Sequence, residues 1–474
     1  GLGNDESLIS LLGRSLPFEL TNAQRRVLRE LAADMSKSDK TAPMHRLVQG
    51  DVGSGKTIVA VLSMLCAIEN GYQCSLMAPT EILAEQHYNT IRDQLKDLPI
   101  NVTLIVGAQK KKERQHALDE IASGFAHIAI GTHALIEEGV QFEKLGLVVI
   151  DEQHRFGVAQ RKALIDKAQA AERAEFAPDV LIMTATPIPR TLGLTLYGDL
   201  DVSVIDELPK HRKPIITKLL FEEDHERIYR SIRKTVKDRG EQIYIVYPLV
   251  DISAKTDLAA ATHSYERLSE EVFPDLRIGL LHGKLPPKEK QQVMHAFRDK
   301  EIEVLVATTV IEVGIDVPNA TVMIIEHAER FGLAQLHQLR GRVGRGGAQS
   351  HCVLVASNKL KRRESYIETS QQAEERSVAL ERLEKMVETT DGFKIAEADL
   401  EMRGPGEFFG TRQSGLPIFQ IADLVKDVDI MEIAREDAIK MVELDPHLRS
   451  AENSMTRTAF LGRYQGAESF MQIG

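Results

Sequence analysis

The chain contains the run Gly50-Asp51-Val52-Gly53-Ser54-Gly55-Lys56-Thr57, which fits the phosphate-binding loop pattern Gly-x-x-x-x-Gly-Lys-Ser/Thr. The mostly apolar residues 44–49 predict a short strand before this loop, and the apolar residues 58–68 predict a buried helix after it. Glycines let successive N–H groups point into one concavity, and the helix N-terminus adds a partial positive charge there. In such a loop Lys56 reaches the β- and γ-phosphates, and the Thr57 hydroxyl binds Mg²⁺.

The alternative interpretation of this run is a chance glycine-rich turn. At average composition, a chain of 474 residues matches the pattern by accident roughly one or two times in a hundred. The strand and helix that flank the run lower this frequency further. The run therefore predicts that the chain binds a nucleoside triphosphate.

The composition limits the class of protein. A length of 474 residues indicates two to four domains, and a hydrophobic content of 43% supports large cores. The sequence shows no signal peptide and no apolar run as long as a membrane span. The three cysteines, Cys66, Cys74 and Cys352, lack metal-ligand spacing, which fits a reducing cytoplasm. The net charge of −11 argues against a protein that binds nucleic acid non-specifically over its whole surface. It allows a local basic surface that binds nucleic acid.

Strand and helix patterns alternate along two regions of the chain. In the first region, the apolar strand candidates are 74–78, 102–106, 127–131, 145–150 and 180–183. A second series follows at 242–246, 277–281, 303–307, 321–325 and 351–356. Such alternation predicts an α/β fold with two parallel sheets, each covered by helices on both faces. Because only the first region has a phosphate loop, we predict that the nucleotide lies at the interface of two lobes.

Breaks in this alternation predict the domain boundaries. We predict a residual linker at 1–16, a first lobe at 17–207 and an inter-lobe linker at 208–215. A second lobe follows at 216–357, and a mainly helical C-terminal region at 358–474. The apolar stripe of the first segment also fits a short docking helix. In the last segment a glycine-rich stretch from Arg403 to Gly415 precedes a predicted helix over 429–444.

The apolar residues 145–150 lead directly into Asp151 and Glu152. A buried strand that ends in two carboxylates suits Mg²⁺-assisted hydrolysis. Asp151 can bind the coordination shell of the Mg²⁺ ion, and Glu152 can orient or deprotonate the attacking water. A strand followed by an acidic turn is the structural alternative, but the phosphate loop about a hundred residues earlier favours the catalytic interpretation.

A further candidate segment, Thr184-Ala185-Thr186-Pro187, ends another predicted strand. Taken alone, it fits an ordinary turn equally well. The hydroxyls of Thr184 and Thr186 can interact with His154 across the ends of the strands. Such a contact would link ATP hydrolysis to movement.

The segment from Gln338 to Gly346 carries arginines at three-residue spacing, among them Arg342 and Arg345. We predict that these arginines share one face of a helical turn. Their planar guanidinium groups suit a triphosphate better than lysine does, and from the second lobe they can neutralise charge on the γ-phosphate. The alternative is a basic surface turn that binds DNA phosphates. The closely placed glycines allow a tight approach, which favours the arginine-finger role.

Together with Gln24, these segments resemble the motifs of the superfamily-two helicases. The further matching segments are Pro79-Thr80-Glu81, Gly131-Thr132-His133 and the run from Thr308 to Pro318. The resemblance covers about residues 18–357 and is specific, because many motifs occur in the expected order. It implies two tandem RecA-like lobes, with Gln24 at the adenine of ATP. It also places Thr80, Thr132 and Thr309 along the DNA backbone, and Gly314 and Asp316 near the nucleotide and the lobe interface.

The C-terminal region narrows this resemblance to the RecG family. Residues 392–400, 403–407 and 410–415 look like the translocation motif of that family, which transcription-repair coupling factors share in looser form. Gln153 after the acidic pair and the turn at 281–283 are also similar to that family. Within the motif we predict that Arg403, Arg412 and Gln413 couple hydrolysis to the movement of DNA.

The family resemblance implies an ATP-dependent double-strand DNA translocase that remodels stalled forks and branch-migrates Holliday junctions. ATP and Mg²⁺ are then the cofactors, and branched DNA (forks, Holliday junctions, D-loops or R-loops) is the substrate. Single-strand DNA-binding protein is a further implied partner, and the implied enzyme is a cytoplasmic, nucleoid-associated monomer without a membrane segment. The family carries an N-terminal wedge domain, with an oligonucleotide-binding barrel, at the branch point. Only residues 1–16 precede the motor here, which predicts either a truncated chain or a wedge in sequence outside it.

Three other functions compete with this interpretation. A translocase that displaces RNA polymerase from damaged DNA would carry a polymerase-binding domain. A non-unwinding ATP-dependent clamp need not retain Lys56, Glu152 and Arg345 together. A small-molecule kinase would need an acceptor pocket where the second lobe has Gly341-Arg342 and Arg345.

Overall fold

The computed structural model describes residues 7–36, 43–107, 109–137, 139–152, 177–185, 200–209, 212–248, 254–308, 317–361, 370–408 and 427–463. These residues fall into two compact units, the described parts of 1–187 with 203–399 and of 188–202 with 400–474. The first unit contains two α/β lobes, each built on its own parallel sheet, and the second unit is mainly helical. The predicted fold class is therefore confirmed.

A seven-stranded sheet forms the first lobe. Its strands are β1 (His45–Gly50), β2 (Gln73–Met77), β3 (Val102–Ile105), β4 (Ile128–Gly131), β5 (Leu145–Asp151), β6 (Asp179–Thr184) and β7 (Asp201–Ile205). They lie in the order β3-β4-β2-β5-β6-β1-β7, and the pairs from β3 to β1 are parallel. Among the described residues of this lobe, the helices are α1 (Leu8–Ser15), α2 (Asn22–Met35), α3 (Lys56–Glu69), α4 (Glu81–Gln94) and α5 (Lys111–Ala122).

The core of the first lobe surrounds α3. This helix is apolar on almost every face because it is covered by the sheet on one side and by α1 and α2 on the other. Val59, Met64 and Leu65 are fully buried, and Leu12 of α1 belongs to the same core. The short helix predicted before the motor therefore docks onto α3, and the phosphate loop that precedes α3 rests on a rigid, close-packed base.

A six-stranded parallel sheet forms the second lobe. Its strands are β8 (Ile216–Phe221), β9 (Gln242–Val246), β10 (Ile278–Leu281), β11 (Val304–Ala307), β12 (Ala320–Glu326) and β13 (His351–Ala356). They lie in the order β10-β11-β9-β12-β13-β8, and every pair in this order is parallel. The helices of this lobe are α6 (His225–Arg239), α7 (Ala254–Arg267), α8 (Pro287–Arg298) and α9 (Leu333–Arg340).

Two strands escaped the sequence analysis, β7 and β8. Both lie at the edge of their sheets, where one side of the strand has no neighbour. An edge strand buries less of its surface, so its apolar pattern is weaker: no residue of β8 is fully buried. The strands that were predicted lie mostly inside the sheets and differ from the observed bounds by one residue at most.

The remaining helices follow the second lobe. They are α10 (Asn358–Lys361), α11 (Ser370–Glu388), α12 (Gly392–Phe408), α13 (Val428–Leu444) and α14 (Ser454–Arg463). The glycine-rich stretch predicted from Arg403 is helical as far as Phe408, because α12 continues through its first residues. The rest of that stretch lies outside the described residues. In the described part of the chain, no helix combines the length and the apolar character needed to cross a bilayer.

Candidate functional site

Three neighbouring strands of the first sheet bring the predicted motifs to one edge. β1 ends at Gly50, the first residue of the phosphate loop, and β5 ends at Asp151. Between them, β6 pairs Thr184 with Gln49 and Met183 with Asp151. Because parallel strands place their carboxyl ends on the same edge of a sheet, the phosphate loop and the acidic pair lie at the same edge.

The phosphate loop depends on two glycines in the left-handed region. Gly53 has a φ of 77° and Gly55 a φ of 84°, conformations that L side chains rarely adopt. Gly55 is the N-cap of α3, so the loop leads directly into the first turn of that helix. The geometry is that of a helix N-terminus approached by a glycine-rich turn, which is a ready anion-binding site.

Lys56 is the first residue of α3. Its Nζ donates to the carbonyl oxygens of Gly50, at 2.8 Å, and of Asp51, at 3.0 Å. Burial lowers the pKa of Lys56, and the negative charges of Glu152 and Asp151 oppose that shift. The lysine therefore lies among the loop carbonyls and within electrostatic range of the acidic pair.

The acidic pair is half-buried, and the pKa values of its two carboxylates shift in opposite directions. For Asp151, burial acts to raise the pKa, but the hydrogen bond to His87 and the charge of Lys56 together lower it. For Glu152, burial and the neighbouring Asp151 raise the pKa, against the charges of Lys56 and Arg342. Glu152 also has a φ of 56°, a strained conformation for a residue other than glycine. A raised pKa and a strained backbone in one residue are typical of a functional position.

The arginines of the second lobe reach this site, but not as predicted. α9 ends at Arg340, so Arg342 and Arg345 lie in the turn after it and share no helical face. The helix could not continue past Gly344 in any case, because this residue adopts a φ of 80°, which a helix cannot contain. Arg342 nevertheless lies within electrostatic range of Glu152, and Arg345 within range of Lys56.

Gln24 lies against the phosphate loop. Its Nε2 donates to the carbonyl oxygen of Ser54 at 2.8 Å, and its Oε1 accepts from the amide of Thr21 at 2.9 Å in a capping box of α2. The side chain is buried, and both ends of its amide group bind protein. The structure thus places Gln24 beside the loop, and its role at the adenine stays a prediction.

His337 connects the two lobes and was missed by the sequence analysis. Its Nε2 lies 2.5 Å from Oδ1 of Asp51 in the phosphate loop, and its Nδ1 lies 2.8 Å from Nη2 of Arg340. Since arginine only donates, Nδ1 accepts, and the ring proton sits on Nε2 and points at Asp51. Burial acts to raise the pKa of Asp51, but the hydrogen bond and charge of His337, the Val52 amide and the charge of Lys56 together lower it.

Arg340 is buried to 1% exposure, which is unusual for a cation. Its Nη1 donates to the carbonyl oxygens of Met386, at 2.9 Å, and Thr389, at 2.8 Å. The amide of Gly392 in turn donates to Oδ2 of Asp51 at 3.3 Å. The phosphate loop is therefore linked to the second lobe and to the junction between α11 and α12.

Arg212, which the sequence analysis assigned to the linker, also contacts the phosphate loop. Its Nη1 donates to the carbonyl oxygen of Val52, and its Nε donates to that of Gly344 at 3.3 Å. It therefore joins the phosphate loop to the arginine-bearing turn of the second lobe. A basic residue beside two prolines gave no signal for this contact, because the pairing depends on how the lobes meet.

The structure describes four of the other predicted site residues and not the remaining seven. Thr80 is the N-cap of α4, and its hydroxyl accepts from the Leu83 amide at 3.4 Å. Thr132 precedes a short 3₁₀ helix at the end of β4, and Thr184 is the buried last residue of β6. Arg403 lies in α12. The residues that fall outside the described ranges are His154, Thr186, Thr309, Gly314, Asp316, Arg412 and Gln413.

Three family models match the chain in succession. Residues 21–194 match the DEAD/DEAH box helicase family, and residues 226–347 match the helicase conserved C-terminal domain. Residues 389–460 match domain 3, C-terminal, of the ATP-dependent DNA helicase RecG. The first two models cover the two α/β lobes, and the third covers the helical region beyond them.

Two curated relatives and one solved structure extend this match. The ATP-dependent DNA helicase RecG of Aquifex aeolicus is 48% identical over 451 residues, which are 95% of this chain and 54% of that protein. That of Bacillus subtilis is 48% identical over 458 residues, 97% of this chain and 63% of that protein. A structure of RecG bound to a three-way DNA junction matches with a TM-score of 0.71 and 45% identity, covering 90% of this chain and 52% of that one. The chain thus spans about half to three-fifths of the length of these proteins and belongs to the RecG family of helicases.

Proposed function

We propose that this chain is the motor of an ATP-dependent double-strand DNA translocase that remodels stalled forks and branch-migrates junctions. The observation that carries the proposal is a composite site: one edge of the first lobe holds Lys56, Asp151 and Glu152, and the second lobe brings Arg342 and Arg345 within electrostatic range. The RecG relatives, named as ATP-dependent DNA helicases, and the relative bound to a three-way junction support the choice of substrate.

In the proposed reaction the chain orients ATP and the attacking water. Lys56 leaves the loop carbonyls and binds the β- and γ-phosphates, and the loop amides hold the remaining oxygens. Glu152 orients the water and accepts its proton, a role that suits a carboxylate whose pKa is raised by burial. Arg342 and Arg345 neutralise charge that develops on the γ-phosphate when the lobes are together.

The residues present fit a magnesium ion. Thr57 and Asp151 offer a hydroxyl and a carboxylate, the oxygen ligands that Mg²⁺ prefers, and the lowered pKa of Asp151 keeps it ionised. The ion supplies charge neutralisation across the phosphates when bound. Gly314 and Asp316 remain proposed neighbours of the nucleotide, and Gln24 the proposed adenine contact.

For DNA we propose contacts to the backbone. The proposed contacts and coupling residues are Thr80, Thr132, His154, Thr184, Thr186, Thr309, Arg403, Arg412 and Gln413. Binding of single-strand DNA-binding protein, a monomeric state and a nucleoid-associated cytoplasmic location are further proposals, which rest on the family resemblance alone. The domain boundaries at 17–207, 208–215 and 216–357 also stay proposals.

Backbone contacts predict a steep salt dependence of DNA binding. Each phosphate neutralised by a basic side chain contributes a slope of about −0.9 in log affinity against log salt for duplex DNA. We therefore expect affinity for a duplex to fall strongly as salt rises and to change little when the base order is scrambled. Fluorescence anisotropy with matched duplexes measures both. A strong sequence preference at fixed salt would contradict the proposed mode of binding.

Gly341 offers a test of lobe contact. A Cβ at this position would meet the Val52 side chain of the phosphate loop at 2.7 Å, while its φ of −66° suits any residue. Overpacking of this kind costs about 1–3 kcal/mol, so Gly341→Ala is expected to reduce ATP turnover about 5- to 160-fold without unfolding the chain. Gly347→Ala is the matched control, because nothing lies within 4 Å of a Cβ there. Equal turnover in the two variants would show that the contact has no part in hydrolysis.

The proposed function is tested by strand displacement on model forks. Arg412→Ala or Gln413→Ala is expected to leave ATP binding and much of its turnover in place, while fork unwinding per ATP consumed collapses. Arg457→Ala provides a control, because Arg457 is an exposed arginine of the same C-terminal region. If both variants unwind forks at the parental rate per ATP, Arg412 and Gln413 do not couple hydrolysis to movement.

A further inference from the structure

Helix α4 touches three parts of the site at three different points. It begins after Thr80, whose hydroxyl caps the helix by accepting the Leu83 amide. Further along, Glu85 reaches the second lobe, and His87 reaches Asp151. One rigid element therefore connects a proposed DNA contact, the opposite lobe and the proposed metal ligand.

The contact between His87 and Asp151 is direct and partly buried. Nε2 of His87 lies 2.8 Å from Oδ2 of Asp151, and the His87 residue is only 9% exposed. Since an ionised carboxylate only accepts hydrogen bonds, Nε2 donates here. The Glu152 amide donates to the same carboxylate. Two donors from different elements thus fix the rotation of the Asp151 carboxylate.

Such a hydrogen bond matters for metal binding because the orientation of a ligating carboxylate sets its affinity. Partners that hold a ligand in place commonly change metal affinity 10- to 100-fold when they are removed. His87 sits on a helix, whereas Asp151 ends a central strand. A shift of α4 along its axis therefore changes the orientation of Asp151 without any change in the strand.

The contact with the second lobe lies on the same helix, two residues away. Nε2 of Gln291, in α8, donates to Oε1 of Glu85 at 3.4 Å. The half-buried Glu85 also lies within electrostatic range of His295 and Arg298 of that helix. Closing or opening of the lobes at this point therefore acts on α4 directly.

We propose that His87 is a positioning residue that ties the orientation of Asp151 to helix α4, so that DNA at the Thr80 end and lobe contact at Glu85 tune the binding of Mg²⁺. This inference rests on the proposed function and deepens it. It assigns to His87 no contact with the nucleotide or with the metal itself.

The test is a Mg²⁺ titration of nucleotide binding, followed by the fluorescence of a labelled ATP analogue, with and without duplex DNA. His87→Ala is expected to raise the Mg²⁺ midpoint about 10- to 100-fold and to leave the affinity for nucleotide without Mg²⁺ unchanged. DNA is expected to lower the Mg²⁺ midpoint of the parental chain and to lower that of His87→Ala by a smaller factor. His87→Gln, whose amide nitrogen can reach the same oxygen, is expected to restore most of both effects.

The control is His116→Ala, because the His116 side chain is 77% exposed on α5 and far from these contacts in the sequence. An unchanged His87→Ala titration, in a parental chain that does bind Mg²⁺ and nucleotide, overturns this inference alone. A His87→Ala defect that is equally large without Mg²⁺, or that His87→Gln does not relieve, assigns His87 to general packing and also overturns it. A parental chain that binds no nucleotide overturns the proposed function together with the inference.

Discussion

Replacing Glu152 with glutamine is expected to leave ATP bound and to reduce its hydrolysis about 10²- to 10⁴-fold, the contribution of a positioned general base. The amide keeps the shape of the side chain but cannot accept a proton from water. Glu152 is held by the Ala185 amide, and burial and Asp151 raise its pKa, so its role depends on the carboxylate itself. Binding and turnover therefore separate in this variant.

The comparison that makes this result specific is Lys56→Ala. Removing the ammonium is expected to weaken nucleotide binding and abolish turnover together, because Lys56 is the proposed ligand of the β- and γ-phosphates. Equilibrium binding of a labelled ATP analogue and steady-state phosphate release measure the two properties separately. Hydrolysis by Glu152→Gln at the parental rate would show that another group activates the water.

The second large effect is expected at Arg345. Removing an arginine finger costs about 10³- to 10⁵-fold in turnover, so Arg345→Ala is expected to fall in that range. Arg345→Lys keeps the charge but loses the planar fork, and we expect it to recover only part of the loss. The structural basis is the position of Arg345 in the second lobe, within electrostatic range of Lys56 in the first.

Arg330→Lys is the matched control for Arg345→Lys, because Arg330 is an exposed arginine of the same lobe. Turnover and DNA affinity are measured for both variants at the same salt concentration. Near-normal turnover of Arg345→Lys, combined with weaker DNA binding, would assign Arg345 to the DNA backbone instead of the γ-phosphate.

The features that the sequence predicted are local ones. The phosphate loop and the strand that leads into Asp151 are continuous segments with their own apolar pattern and their own chemistry. Their meeting also follows from the sequence, because parallel strands end on one edge of a sheet. For this reason the fold class and the neighbourhood of Lys56, Asp151 and Glu152 could be predicted without coordinates.

The features that escaped prediction depend on long-range pairing. His87 meets Asp151 from a helix that precedes it in the chain, and His337 meets Asp51 across the lobe boundary. A single histidine in a helix gives no sequence pattern from which a distant carboxylate partner could be predicted. Arg212 was assigned to a linker for the same reason, since its contact with Val52 exists only when the lobes are together.

The prediction for Arg342 and Arg345 was wrong in its geometry. Helical spacing was inferred from the three-residue repeat of arginines, but α9 ends at Arg340, before Arg342 and Arg345. The left-handed Gly344 turns the chain away from the helix axis. Arg342 still lies within electrostatic range of Glu152, and Arg345 within range of Lys56. The error therefore concerns the local structure that carries the two arginines, and their role stays a prediction.

The most direct test of the central claim is steady-state ATP hydrolysis by this chain with no DNA, single strands, duplexes and model forks. We expect duplex or fork DNA to raise turnover severalfold, and Lys56→Ala to abolish turnover under every condition. A chain that binds ATP but hydrolyses it at the same rate with and without each DNA would contradict the claim that this site drives a DNA motor.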